Sequence, residues 1–511
     1  MSAIIKVSLL LTLAELFFNL SGYITHAILG RTLGPAEYGR YGLVITVATM
    51  IVTLIGRGVP VAMSKYLSEV YSRKPKELKH IKKVSAEVQF VLVFFLTLFY
   101  YLAAPFLADI LNDFSLTPLF RLSTLIIPAF AAASFYVYFF TGVHKFKLQA
   151  YLKFFRGLSK IVLIVGLAYF FRTKGAILGH ALAPFSVFVL ALLIDQGFIL
   201  KSKRKGSDDR IKTNSDSKRE NLEASGEKFA YKKLSRRALL NFAWPITLFM
   251  IFYEIMITID LYMVKGLLES DRLTGFYNAS LTVGRLPFYA FYFLTIILLP
   301  KVSEIKARRD NRQMQKTLQS AMRFLFILII PSVSLLAIFS RPTLELFYGQ
   351  KYLMATPLLQ VLAIGLGFLT VFYILAFVLN GAGKNKLPMW IALVGMIVNS
   401  GLNYVLINKL GVLGAALATS LTSLLIMVLA VVLTEKYVAS FLNVISLLKY
   451  ALATVVISLI AYHLPQGKII FIFEFAVLLA IYFAILRILG EVTDEDLNYL
   501  RPFWKKFLKN N

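Results

Sequence analysis

The chain contains no cysteine among its 511 residues. Disulfides, thiolate nucleophiles and thiolate metal sites are therefore excluded, and the redox compartment leaves no mark. Charge is also scarce. Asp, Glu, Lys and Arg together make 16 % of the chain, well under the roughly one quarter of a soluble domain. The acidic kind is the scarcer, 27 residues against 55 basic ones, for a formal charge of +28. No nucleotide-binding motif is present, so ATP is not the expected energy source and no cofactor is expected. The alternating apolar and polar pattern of a membrane barrel is missing too. No A-x-A-like site follows the first apolar run, which is expected to be a retained span rather than a cleaved signal.

Hydrophobic residues make up 58 % of the chain and the mean hydropathy is +0.72. Fourteen apolar runs, centred from Phe18 to Ala480, recur with only short breaks. At about 20 residues each, they are long enough to cross roughly 30 Å of hydrocarbon. No water reaches the backbone at that depth, so each run must close its own hydrogen bonds as a helix. The expectation is an all-α membrane protein of about 14 transmembrane helices. In such a chain the excess of basic residues follows membrane sidedness and does not indicate nucleic acid.

Arg73, Lys74, Lys76, Lys79, Lys82 and Lys83 crowd the link after the second span, whereas the link after the third carries Asp109, Asn112 and Asp113 and no basic residue before Arg121. Basic residues gather again after spans four (Lys145, Lys147, Lys153), eight (Lys301, Lys306, Arg308, Arg309, Arg312, Lys316) and ten (Lys384, Lys386), and in the tail. The positive-inside rule then puts the even-numbered links and both termini in the cytoplasm of a multi-pass cell-membrane protein. The link LGRTLGPAEYGRYG, Leu29 to Gly42, lies on the outer side, where Pro35 and the glycines predict a tight turn between packed antiparallel helices.

The polar, basic stretch from Lys201 to Arg237 has almost nothing to bury and is expected to be a disordered cytoplasmic linker. Sequence similarity crosses it. TGVHKFKLQ (Thr141 to Gln149) resembles NGAGKNKLP (Asn380 to Pro388), KGAILGHALA (Lys174 to Ala183) resembles LGVLGAALA (Leu410 to Ala418), and YGRYG (Tyr38 to Gly42) falls against TGFYN (Thr274 to Asn278). This predicts a first six-helix bundle over 1–200, the linker over 201–237, a second bundle over 238–436, two additional helices over 437–490 and an amphipathic tail over 491–511. Six spans being an even number, the bundles run the same way and can face each other around a central cavity.

Polar residues form stripes on the first two spans of each half: Glu15, Asn19, Gly22 and His26; Thr46, Thr49, Thr53 and Arg57; Thr247, Glu254 and Thr258, with Asp260 on another face; and Asn278, Thr282, Arg285, Tyr289 and Tyr292. Ionisable groups at membrane depth are costly and usually face a cavity or a partner. Glu15 or Glu254 can neutralise Arg57 or Arg285, and such pairs can be exchanged for a substrate phosphate. Arg57, Arg285, Asn19, Tyr289 and Tyr292 are the candidate substrate-binding residues, and Glu15, Glu254 and Asp260 the candidate ion-coupling acids. Lys160, His180, Asp195 and Glu474 are expected to snorkel or pair locally. His180 falls opposite Ala415 in the repeat, and a lone histidine suits no metal. The tail from Thr493, with an apolar face of Leu497, Leu500, Trp504, Phe507 and Leu508, predicts a helix lying on anionic membrane lipids.

The outer link, the P-x14-D pattern from Pro245 to Asp260, the arrangement of six, six and two spans and the basic linker resemble the polysaccharide transporter branch of the MOP superfamily, relatives of the MATE exporters. The resemblance implies a MATE-like fold and a flippase that moves a lipid-linked oligosaccharide from the cytoplasmic to the outer leaflet, with glycosyltransferases of the same pathway as partners. A peptidoglycan precursor of the lipid II type is an open cargo. A drug exporter is disfavoured by the arginines, which suit an anionic group. A membrane polymerase is disfavoured because the outer links are short and hold no cluster of His and carboxylates for acid–base chemistry.

Overall fold

The computed structural model describes residues 3–56, 59–71, 77–204, 236–465, 467 and 470–492. The expected linker over 201–237, for the most part, and the expected tail from 493 onward lie outside the described residues. Eleven described helices are long and apolar enough to cross a bilayer. One of these, Phe146–Gln196, doubles back at Arg172, and the helix Ala3–Gly56 ahead of them doubles back at Gly34, which gives fourteen passes among the described residues.

Most of the Leu29 to Gly42 link is helix, and the turn is confined to Gly34. Its φ of 76° lies in the left-handed region, where a side chain is strained and glycine is not. Pro35 follows directly, at the start of the next helix, where its missing N–H costs nothing.

Lipid tails are as apolar as leucine, so neighbouring spans are held together by close packing rather than by a hydrophobic drive. Small residues at crossings allow that approach. A Cβ on Gly175 would lie 2.0 Å from the Leu167 carbonyl oxygen, and one on Gly414 2.0 Å from that of Leu406. These two hairpins are copies of each other: Arg172 and Gly411, three residues ahead of each glycine, have φ/ψ of 53°/−136° and 61°/−144°. The geometry therefore pairs Gly175 with Gly414. His180 then falls opposite Thr419 and not Ala415, a shift of one helical turn that the repeated small residues conceal in the sequence. His144 and Gly383, both with positive φ, mark the same spacing at the other end.

The two halves meet at the end that carries Gly34. A Cβ on Gly275 would lie 1.8 Å from the Pro35 carbonyl oxygen, and one on Gly39 2.3 Å from that of Asp271. Around this contact, Lys265 Nζ reaches Asp271 Oδ1 at 2.6 Å and Asp113 Oδ2 at 2.9 Å, Asn112 donates to Glu269 at 3.2 Å, and the Tyr352 hydroxyl donates to the Gly30 carbonyl at 3.0 Å. The two last spans, Val444–His463 and Ile470–Ile488, lie against Asn311–Ile338 through a separate core that includes Leu335, Phe339, Tyr450 and Tyr482.

Candidate substrate cavity

Between the halves, on the far side of the Gly34 contact, lies a cavity of about 360 Å³. The first span (3–33) contributes Phe18, Asn19, Gly22, Tyr23 and His26, and the second (35–56) Tyr41, Thr46 and Thr49. From the second half, 271–289, come Asn278, Thr282, Arg285 and Tyr289. The stripes on these three spans therefore face one space. The threonines, however, spend their hydroxyls on their own helix: Thr46 donates to the Gly42 carbonyl at 2.6 Å and Thr49 to that of Ile45 at 2.8 Å. Among the described residues, the lining atoms Tyr23 Oη and Asn278 Nδ2 are buried with no hydrogen-bond partner.

Among the described residues no Asp or Glu lines the cavity, whereas Arg156, Lys160 and Arg285 do. Arg285 is held where the seventh span breaks. The helix Arg236–Met256 ends there, Ile259–Leu268 begins, and the carbonyl of Ile257 accepts from Arg285 Nη2 at 2.9 Å. Arg156 and Lys160 form no ion pair among the described residues. Arg156 lies over the rings of Phe130 at 4.3 Å and Phe18 at 5.2 Å, and Lys160 lies 5.7 Å from the Phe18 ring. His180 shares a hydrogen bond with Tyr41 at 3.2 Å, and His26 one with Tyr38 at 2.9 Å.

The other expected residues are distributed differently. Arg57 lies outside the described residues. Glu15 is ion-paired to Lys153, at a half-exposed position one turn from Asn19. Glu254 is half-buried and does not line the cavity. Tyr292 stacks on Tyr373 with ring centroids 6.1 Å apart and is also absent from the lining. The helical face that ends at Arg285 is interrupted there and again at Tyr292, so the stripe does not continue through Tyr292. Lys160 and His180 do not snorkel to an interface but line the cavity, while Asp195 does pair locally, with Lys82.

Asp260 is fully buried behind the cavity. It accepts from the Tyr277 hydroxyl at 2.6 Å, the Thr419 hydroxyl at 2.9 Å and the Leu261 amide at 2.8 Å. A small void beside it is lined by Asn399, Thr422 and Arg285. The Thr422 hydroxyl is buried without a partner among the described residues, so an uncommitted oxygen shares this void with a buried carboxyl group.

Arg156 was not among the expected site residues. A signal for it exists: Lys153, Arg156 and Lys160 are spaced by three and four, so they share one face of a helix that begins at Phe146.

Comparison with known proteins agrees with this architecture. Residues 4–306 match the polysaccharide biosynthesis protein family, and residues 245–405 match the MatE family. Stage V sporulation protein B of Bacillus subtilis is 25 % identical over 81 % of this chain and 80 % of its own length. The lipid II flippase MurJ of Bacillus subtilis is 23 % identical over 77 % of this chain and 74 % of its own. A solved structure of the lipid II flippase MurJ in an inward closed conformation superposes with a TM-score of 0.71 at 16 % identity, over 94 % of this chain and 98 % of that one. The chain belongs to the polysaccharide biosynthesis protein family and, through it, to the MOP superfamily of multi-pass membrane transporters that also contains the MATE exporters.

Proposed function

We propose that the protein is a flippase for a phosphate-linked lipid glycan, working by alternating access of the cavity to the two faces of the membrane. The observation that carries this is the charge of the lining: among the described residues it holds three cations, Arg156, Lys160 and Arg285, and no carboxylate. A phosphate or diphosphate cannot cross hydrocarbon without fixed compensating charge, because an isolated ion costs tens of kcal/mol by a Born argument. A drug exporter for organic cations needs the opposite sign. Between the two glycan cargoes, a peptidoglycan precursor of the lipid II type is better supported than a polysaccharide repeat unit. One relative that spans about three quarters of each chain, and the superposed structure, are each named as lipid II flippases.

The lysine-rich links are assigned to the cytoplasm, with both termini, so the Gly34 contact closes the outer side and the cavity faces inward. Buried Asp260, with the uncommitted hydroxyl of Thr422 lining the same void, is the preferred site through which a cation couples to transport. Complementation tests this. The gene should restore growth to a strain depleted of its lipid II flippase, and Arg285→Ala should abolish that rescue at a normal level of membrane protein. Rescue of an O-antigen transporter mutant with no rescue of the lipid II strain would reverse the choice of cargo.

A further inference from the structure

We propose that the face of the fifth span carrying Lys153, Arg156 and Lys160 is the loading site for the lipid phosphate, with Glu15 as the counter-ion that the phosphate displaces. This rests on the flippase reading and specifies where its anionic cargo enters. Seven residues of helix separate Lys153 from Lys160, a climb of about 10 Å at 1.5 Å per residue. The climb starts at the lysine-rich end, where the helix begins at Phe146, and ends in the cavity, where Lys160 Nζ lies 3.2 Å from where a Cβ on Gly22 would be.

All three cations converge on one neutral ring. Lys153, Arg156 and Lys160 lie 5.9, 5.2 and 5.7 Å from the centroid of Phe18. An aromatic face attracts a cation weakly and carries no net charge, so Phe18 leaves the charges of Arg156 and Lys160 uncompensated for an incoming anion. Cations this deep in a membrane protein call for a partner, and neither Arg156 nor Lys160 has a carboxylate among the described residues. Lys153 alone has one, Glu15. That pair sits at the open end with side chains 28 % and 51 % exposed, where an ion pair is held loosely and exchanges readily. A diphosphate offers more acceptor oxygens than Glu15 does and suits the planar fork of arginine beside the point charge of lysine. Phe18 thus holds the cations apart and in place until cargo arrives, and Glu15 sets a threshold that a weaker anion does not pass.

The test uses the full chain in detergent or nanodiscs, with farnesyl diphosphate as probe, farnesol as its uncharged control, and calorimetric titration as readout. Arg156→Ala and Lys160→Ala should each weaken farnesyl diphosphate binding by about tenfold or more, the loss of one charge-assisted contact, and leave farnesol unaffected. Arg156→Lys should lose less. Glu15→Gln should tighten binding by roughly threefold, the worth of a half-exposed ion pair, which a purely structural acid would not do. Melting temperature and elution volume verify folding, and if an alanine variant fails them, Arg156→Lys and Glu15→Gln decide between the outcomes. If Glu15→Gln leaves binding unchanged or weaker, and Arg156→Ala and Lys160→Ala bind as the wild type does while Arg285→Ala does not, the loading site is wrong and the flippase reading stands. If the wild type binds farnesyl diphosphate no better than farnesol, the anionic-cargo reading itself fails.

Discussion

Replacing Gly275 with alanine sets a methyl carbon 1.8 Å from the carbonyl oxygen of Pro35, and the obstacle is backbone rather than a flexible side chain. No rotamer change relieves the contact, so the two halves must separate where they are joined. Overpacking of this kind costs about 1–3 kcal/mol. If the whole penalty falls on the state in which the Gly34 end is closed, the balance between closed and open states moves by roughly 5- to 150-fold toward the open one. Because the native chain has no cysteine, the shift is readable with one introduced residue. Thr274→Cys, at a fully buried position beside the contact, should react slowly with a membrane-impermeant maleimide in the otherwise native chain, and much faster once Gly275→Ala is added. Gly39→Ala, whose methyl would meet the Asp271 carbonyl at 2.3 Å, should act in the same direction. Equal labelling rates in all three backgrounds, with normal amounts of protein in the membrane, would refute the idea that this glycine contact is what closes the outer side.

Asp260→Asn should uncouple transport, because the Tyr277 and Thr419 hydroxyls donate to one carboxylate oxygen and the Leu261 amide to the other, so an amide nitrogen in either place would face a donor. Flipping in this variant should no longer respond to collapse of the ion gradients in vesicles, and an unaltered response would exclude Asp260 as the coupling group. The ion cluster around Lys265 should weaken in acid. Burial works against the Asp113 carboxylate, but hydrogen bonds from Ser115 and Lys265 outweigh it and hold its pKa below the usual carboxylate range. A lowered carboxylate pKa contributes stability above the unfolded value of about 3.9 and loses it as the pH falls through the lowered folded value. The melting temperature of the purified protein should therefore be flat from neutral pH down to mild acidity and fall only in stronger acid. Arg285→Lys should keep partial activity where Arg285→Ala keeps none, since charge survives but the bidentate fork is lost, and complementation distinguishes the two.

The span count and the Gly34 turn were legible because both depend on local chemistry: apolar length in one case, a positive φ beside a proline in the other. The stripes of the first, second and eighth spans were legible because helical periodicity alone brings Asn19, His26, Thr46 and Arg285 to one side. Periodicity could not say which stripe continues through a helix break, and Tyr292 was misplaced for that reason. Nor could it say which way a lone basic triplet points. Lys153, Arg156 and Lys160 begin near a lysine-rich link, so their sequence looks like snorkelling until Phe18 and Gly22 of the first span are seen opposite. Asp260 was singled out as a buried acid, but its partners Tyr277 and Thr419 lie 17 and 159 residues away. Only tertiary packing brings them together.

The proposed function requires the cavity to carry an anionic lipid across the membrane on fixed positive charge. The most direct measurement is translocation of fluorescent lipid II in proteoliposomes, read by quenching of label exposed on the outer leaflet, for the wild type and for the Arg156→Ala, Lys160→Ala, Arg285→Ala triple variant. The wild type should move lipid II, and the triple variant, reconstituted in equal amount, should not exceed empty liposomes. Undiminished translocation by the triple variant would contradict the proposed function.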